Sequence, residues 1–516
     1  MSAVMATAKL EKCTKFKIML NIAYCSDKYQ YTMGKSFYDC GKKDETAIFN
    51  LFYRKAPENN NWAVVSGVDE VLEMIDGLGR MPQEFFEKFL PGPEYAEFRG
   101  YLSSMKFTGN VYAMREGEIA FPSQPIIIVE APLIEAQVLE TPMLCIMNHQ
   151  MAVATKASRV CRATDRPVSE FGSRRAHGPW AATYGAKAAI IAGCQSTSNI
   201  LTGAMFGCGS TGTMAHSYIT SFGCSVEGEF HAFDTYIKSH RGETLILLID
   251  TYDTLRCGIL NAIRAFRENG IDDTYPAYGI RLDSGDLAYL SSKCRSILDE
   301  NGFKNCKIFA TNSLDEYLIT DLERQGACID SYGVGDAIAT SKAAPCFGNV
   351  YKLVQIGDMP VLKRSEDKIK LINPGFQITY RITIDDEGAE RFKVDVTCLR
   401  GDSLAQKIEA GETFTVCDEY DRYKSKTFEA GKYTAKALQV QVMKDGKTCA
   451  QAFTLAEKSA YYKENLSHFS KSETRLINPH FFKVDISDDL YNLKMSIIDR
   501  LVEEINGFAE SQQNTK

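Results

Sequence analysis

No CxxC pair occurs in this chain, although sixteen cysteines are scattered from Cys13 to Cys449. Without short paired spacings a zinc site or a disulfide framework is excluded, and the pattern reads as reduced thiols. A long uninterrupted apolar run is also missing. The longest, Ile126 to Met147, is broken by Glu130, Glu135 and Glu140, which a membrane helix would not tolerate. The opening segment MSAVMATAKLEKCTKFKIML has no extended apolar core and no small-residue cleavage site, so a cytoplasmic location is expected rather than secretion. Nor is there a basic excess. The formal net charge of −7 argues against a general nucleic-acid surface, while leaving room for a local basic pocket. Internal repeats, low-complexity linkers and a GxGxxG motif opening a βαβ unit are absent as well.

What is present is ordinary in bulk, with 45% hydrophobic and 24% charged residues. The 516 residues exceed what one hydrophobic core supports, so two or three domains are expected. Residues 1–150 mix strand and helix patterns, as an α+β domain would; 151–355 form the catalytic region; 356–516 are strand-rich and end in an amphipathic helix, with SQQNTK as a frayed tail.

The centre alternates apolar strands with helical patterns: ETLILLIDTYDT, LRCGILNAIRAFRENG, TYPAYGIRLDSGD, LAYLSSKCRSILDENG, CKIFATN, SLDEYLITDLERQG and ACIDSYGVG. Ser313 is placed to cap one helix and Gly326 to end it. This βα rhythm means either a doubly wound sheet or an α/β barrel. Polar residues follow many strands, at Asp250, Asp253, Asp283, Asn312 and Gly333 to Asp336. Ligands bind there in both folds, but polar groups after many strands suit a barrel mouth better than one crevice.

The densest chemistry lies between Glu170 and Ile219. That stretch combines Arg174 and Arg175, hydroxyl-rich turns, many glycines and His216. His216 alone is open to a bland account, a histidine satisfying a buried carbonyl. The preceding Gly209, Ser210, Thr211, Gly212 and Thr213 offer amides and hydroxyls that can hold a phosphate beside the imidazole. Arg174 and Arg175 read either as a solvated turn or as a guanidinium fork on a phosphate. Phe171 is either core or one face of an aromatic slot. Arg281 and Asp283 fall on the same side of a strand, where burial of both in a core would be costly, so they face a cavity. Asp283 and Asp286 suit Mg²⁺ or ribose hydroxyls. Gly333, Gly335 and Gly348 follow late strands, either as tight turns or as a phosphate anchor. LIDTYDT reads as a strand followed by a cap.

Taken in order, SDKYQYTM, AIFNLFYRKAP, VLETPML, EFGSRRAHGP, STSNILTGAMFG, GTMAHSYI, LLIDTYDT, GIRLDSGDLA, ATNSLDE, GVGDAIATS, VYKLV and RLINPHFFKVDIS resemble the nicotinate phosphoribosyltransferase family, from about Ser26 to Ile498. The resemblance implies a quinolinate-phosphoribosyltransferase-like α/β barrel with a discontinuous α+β N-terminal domain and a C-terminal extension. It implies a homodimer with shared active sites. It implies the reaction of nicotinate, 5-phosphoribosyl 1-diphosphate, ATP and water to nicotinate mononucleotide, diphosphate, ADP and phosphate, the first step of NAD synthesis from nicotinate.

By the same resemblance, His216 is a transient phosphohistidine and Asp283 a second catalytic residue. Tyr29, Phe171, Ser198, Thr213 and Arg281 contact nicotinate. Arg174, Ser284, Gly333, Gly335 and Gly348 contact phosphoribosyl diphosphate. ATP is the co-substrate, and Mg²⁺ arrives with the diphosphate, Asp283 being its candidate protein contact. The chain departs from the family's Gly-Val-Gly-Thr at Asp336, to which no role is carried. Two alternatives stand beside this reading: a nicotinamide phosphoribosyltransferase, which would have an aspartate where this chain has Ser198, and a barrel that has lost catalysis and serves as a scaffold.

Overall fold

Four apolar runs of the central region, together with the short polar segments Val168–Glu170 and Ser196–Thr197 that the sequence pattern did not mark as strands, form six parallel strands in a computed structural model that describes residues 21–58, 60–79, 81–364, 371–419 and 421–513. In chain order these are β1 (Val168–Glu170), β2 (Ser196–Thr197), β3 (Leu245–Leu248), β4 (Tyr278–Leu282), β5 (Lys307–Ala310) and β6 (Ser331–Val334). They hydrogen-bond in the order β2, β1, β6, β5, β4, β3, and every pairing is parallel. That is a cyclic run of the sequence order, with no reversal of direction. A doubly wound sheet requires such a reversal at its switch point, so the sheet is singly wound, a parallel half-barrel. Hydrogen bonding between β2 and β3, which would close it, is not among the described pairings.

Helices follow the strands, and their ends show why. Pro179 opens Pro179–Ile191 at a position where its missing N–H costs nothing. Gly270 at φ 65° and Gly326 at φ 74° end their helices in the left-handed region that glycine adopts without strain. The cap expected from Ser313 is supplied instead by Asp315, whose carboxylate accepts from the N–H groups of Tyr317 and Leu318. Ser313 itself has φ 49° and so sits outside the β-region backbone of an N-cap. Asp253 caps the short segment Thr254–Gly258 as the LIDTYDT reading required.

This sheet belongs to a compact unit formed by Ala152–Pro345 and Thr454–Lys463. The described parts of Met1–Met151, Cys346–Phe453 and Glu464–Lys516 form a second unit, assembled from segments far apart in sequence. Its main sheet is antiparallel around the core strand Thr46–Tyr53, which pairs with Asn349–Ile356 on one side and Ile127–Pro132 on the other. A second sheet carries the long hairpin Gln377–Asp386 and Ala389–Leu399. The hairpin carries a buried ion network in which Arg381 holds Asp395 at 2.8 and 2.7 Å and Glu118, which precedes the short strand Ile119–Ala120, at 2.5 Å. Pairing on this scale offsets the cost of burying the charges.

The final helix, Asp488–Gln513, takes in the first three residues of the tail expected to fray; the last three, like the N-terminal segment read for secretion, lie outside the described residues. No helix among the described residues is long and apolar enough to cross a membrane, and every described cysteine is a free thiol.

Candidate active site

At the carboxyl edge of the parallel sheet lies a cavity of about 520 Å³, lined in part by Phe171, Arg174, Ser198, Thr213, Arg281 and Asp283. Every strand except β3 contributes at or just beyond its carboxyl end: Phe171 from β1, Ser198 from β2, Asp283 from β4, Thr311 from β5 and Gly335 from β6.

The arginine of β4 is the most constrained cation in the cavity wall. Arg281 donates from Nη1 to Thr213 Oγ1 at 2.9 Å and to the Met214 carbonyl at 3.2 Å, and from Nε to Thr311 Oγ1 at 3.1 Å. Its Nη2 lies 3.4 Å from Asp283 Oδ1. Residues 281 and 283 share one face of the strand, so the pair follows from the pleat. Thr311 also donates to Asp283, locking β5 to β4 at the cavity rim.

Glycines set the opposite requirement, room for a ring. A Cβ on Gly333 would lie 2.7 Å from the Phe171 ring and 2.7 Å from Thr311 Cγ2. Phe171 therefore packs its ring edge on bare backbone and lines the cavity. Arg174 and Arg175 occupy an exposed turn, Ser173–Arg175, where their guanidinium groups are free to meet an anion.

His216 opens the short helix His216–Thr220. Its Nδ1 is 3.1 Å from Thr251 Oγ1, which leaves Nε2 as the free nitrogen. That nitrogen is 3.7 Å from Asp283 Oδ2 and 4.0 Å from Asp250 Oδ1. Asp250 is held by its other oxygen, which accepts from the Asp283 N–H at 2.9 Å and the Ser284 hydroxyl at 2.5 Å. Oδ1 of Asp250 is buried and accepts no hydrogen bond, an orphaned hard-oxygen donor beside the imidazole.

The structure thus brings Phe171, Arg174, Ser198, Thr213, Arg281, Asp283, Gly333 and Gly335 to one cavity, with His216 and Ser284 joined to it through Asp283 and Asp250. Tyr29 and Gly348 belong to the other compact unit; there the Tyr29 hydroxyl donates to Glu140 at 3.2 Å. Asp336 lines the cavity and pairs with Lys342 at 3.3 Å. Sequence reading did not single out Thr251, Thr311 or Glu170, and it placed Asp250 at a strand end without a partner. For Asp250, Thr251 and Thr311 the only signal is a place among the first polar residues after an apolar strand; Glu170 ends the strand Val168–Glu170, which is not an apolar run.

Among the described residues no group of three or more His, Cys, Asp or Glu side chains is set to hold a metal. The open oxygens of Asp250 and Asp283 nonetheless suit a hard cation that brings most of its ligands with a diphosphate.

A parallel sheet with clustered arginines, glycine turns and paired carboxylates at its carboxyl edge defines an α/β enzyme for a polyanionic small molecule. Comparison with known proteins narrows this. Family models for the nicotinate phosphoribosyltransferase N-terminal and C-terminal domains match residues 25–148 and 377–494. The nicotinate phosphoribosyltransferase of Bacillus subtilis is 36% identical over 94% of this chain and 97% of its own length; that of Dictyostelium discoideum is 30% identical over 90% of this chain and 86% of its own. The crystal structure of human nicotinic acid phosphoribosyltransferase superposes with a TM-score of 0.78 and 25% identity, covering 92% of this chain and 99% of the human one. The chain belongs to the nicotinate phosphoribosyltransferase family.

Proposed function

We propose that the chain converts nicotinate, 5-phosphoribosyl 1-diphosphate, ATP and water to nicotinate mononucleotide, diphosphate, ADP and phosphate. One observation carries the coupling of the two half-reactions. The Asp283 carboxylate stands between them, with Oδ1 3.4 Å from the Arg281 guanidinium and Oδ2 3.7 Å from the free imidazole nitrogen of His216.

Nicotinate binds with its ring on Phe171 and its carboxylate toward Arg281, which Thr213, Thr311 and Asp283 hold in place. Arg174, Ser284 and the Gly333 and Gly335 turns take the phosphates of the ribosyl donor; the family resemblance assigns Gly348 to the same donor and Tyr29 to nicotinate, Tyr29 from a second subunit of a homodimer. The pyridine nitrogen of nicotinate attacks the ribose C1, the bond from C1 to diphosphate breaks, and diphosphate leaves with both bonding electrons. No proton moves. The step therefore rests on stabilising charge at the leaving group rather than on a base. A Mg²⁺ ion bound with the diphosphate, against Asp250 and Asp283, would supply part of that stabilisation.

In the other half-reaction His216 Nε2 attacks the γ-phosphorus of ATP and ADP leaves. Hydrolysis of the N–P bond returns phosphate. Thr251 favours this nitrogen by occupying Nδ1. The fold of the catalytic unit is a barrel of the quinolinate-phosphoribosyltransferase type, the N-terminal domain is completed by later segments, and the protein works in the cytoplasm.

A hydroxyl at Ser198, rather than a carboxylate, favours the acid over the amide, since a carboxylate facing nicotinate would repel it. The test is to supply nicotinate and nicotinamide separately with phosphoribosyl diphosphate, ATP and Mg²⁺. Nicotinate is consumed and nicotinamide is not; preference for the amide overturns the assignment. Ser198→Asp raises KM for nicotinate most strongly.

A further inference from the structure

Beneath the cavity lies a carboxylate to which the transfer chemistry assigns no task. Glu170, the last residue of β1, is 2% exposed. One carboxylate oxygen accepts the Gly172 N–H, and the other accepts the Thr197 hydroxyl at 2.7 Å. Its own carbonyl accepts the Ser198 N–H at 2.9 Å. Through these three bonds one residue holds the starts of two separate loops. Gly172 leads into the turn that carries Arg174. Thr197 leads into Ser198 and Asn199, the latter capping Ile200–Phe206 by accepting the Thr202 N–H at 3.0 Å.

The donors explain why an acid stands here. The Gly172 N–H is fixed backbone and only donates. The Thr197 oxygen accepts the Asn199 N–H at 3.0 Å, so its proton is directed to Glu170. Two donors converging on one group call for an acceptor at both ends, which an ionised carboxylate is and an amide is not. Burial pushes the Glu170 carboxyl up from its ordinary range, while the Thr197 and Gly172 donors pull the other way. Space is equally fixed: a Cβ on Gly172 would meet Ala339 Cβ at 2.3 Å, and Glu170 and the Gly335 carbonyl at 2.7 Å. The Gly172 turn therefore has one seat, against the Gly335 turn on one side and the Glu170 carboxylate on another.

We propose that Glu170 is a positioning residue for the transfer, a buried carboxylate that fixes the Ser198 loop and the Arg174 loop in mutual register. This rests on the assignment of Ser198 to nicotinate and Arg174 to phosphoribosyl diphosphate. Glu170 touches neither substrate. It determines how far apart the two bound substrates are held, which for in-line attack on C1 matters at the scale of an ångström.

The experiment measures KM for each substrate and kcat at saturating ATP in four variants. Ser198→Ala raises KM for nicotinate alone, and Arg174→Ala raises KM for phosphoribosyl diphosphate alone. Glu170→Gln raises both, by about tenfold each, the scale of one lost charge-assisted hydrogen bond. Thr197→Val keeps the carboxylate and removes one of its donors, so it raises the nicotinate KM and leaves the other near wild type. If Ser198→Ala and Arg174→Ala each leave their own KM unchanged, the substrate assignment is wrong whatever Glu170 does. If those two respond but Glu170→Gln leaves both KM values and kcat at their wild-type values, the positioning role is overturned; a fall in kcat, with or without the KM rises, supports it. Should Glu170→Gln fail to fold by circular dichroism, Thr197→Val decides: a selective rise in nicotinate KM supports the role, and no rise refutes it.

Discussion

His216 Nε2 and Asp283 Oδ2 face each other across 3.7 Å, too far for a hydrogen bond and close enough for each to feel the other's charge. Phosphorylation of that nitrogen would bring several negative charges toward two carboxylates, Asp283 and the unpartnered Asp250 oxygen. Without a cation the arrangement is repulsive. In the proposed mechanism Asp250 and Asp283 would hold a divalent cation, which would offset that repulsion.

Removing the imidazole separates the two half-reactions. His216→Ala abolishes ATP hydrolysis and ATP stimulation, and leaves a slow ATP-independent transfer. Thr251→Val removes the group that engages Nδ1 and lowers ATP-coupled turnover by about five- to tenfold, the scale of one hydrogen bond, with KM for nicotinate unchanged. Rates of ADP and nicotinate mononucleotide formation, followed together, check both. Full ATP coupling in His216→Ala would remove the phosphohistidine from the mechanism.

Gly333 presents a different kind of dependence. Its missing Cβ is the space in which the Phe171 ring edge and Thr311 methyl meet. Gly333→Ala forces one of them to move. Thr311 is tethered to Arg281 at 3.1 Å, so Phe171 yields. The expected result is a rise of about tenfold in KM for nicotinate, the scale of about 1.4 kcal/mol of lost ring contact, with a smaller change for phosphoribosyl diphosphate. Equal changes in both values would show that the ring does not face nicotinate.

The parallel strands and their polar ends were legible because apolar runs punctuated by Asp, Asn and Gly leave few alternatives; the pleat alone placed Arg281 beside Asp283. The cap at Asp315 was missed for a local reason. Ser313 and Asp315 both precede the helix, and only the backbone shows that Ser313 has turned left-handed. Glu170 was illegible for a deeper one. Its partners are Gly172, in the loop after β1, and Thr197, at the end of β2, which the parallel pairing of β1 with β2 brings together, and no spacing in one sequence announces that. The second unit was harder still. Its central strand Thr46–Tyr53 finds a partner about three hundred residues later, at Asn349–Ile356, and strand patterns say nothing of such pairings.

The second unit also carries a pH-dependent liability. Asp485 lies in the short strand Val484–Ile486, buried, with neither carboxylate oxygen accepting a hydrogen bond and Lys483 Nζ 3.3 Å away. Burial pushes its carboxyl up to about 6; Lys483 opposes that shift, and Asp418 and Glu419 add to it. The folded value thus lies above the ordinary aspartate value of about 4 that the unfolded chain would show. Between those values the folded chain keeps a proton that the unfolded chain has lost. The stability linked to that proton is complete below about pH 4 and is lost as pH rises through about 6. Asp485→Asn, which cannot ionise, should therefore be more stable than wild type at neutral pH by about 1–2 kcal/mol, with the advantage vanishing toward about pH 4. Denaturant unfolding of both proteins at the two pH values, compared pairwise, cancels the other titrating groups. A variant less stable than wild type at neutral pH would mean that the Lys483 contact outweighs the burial of the charge.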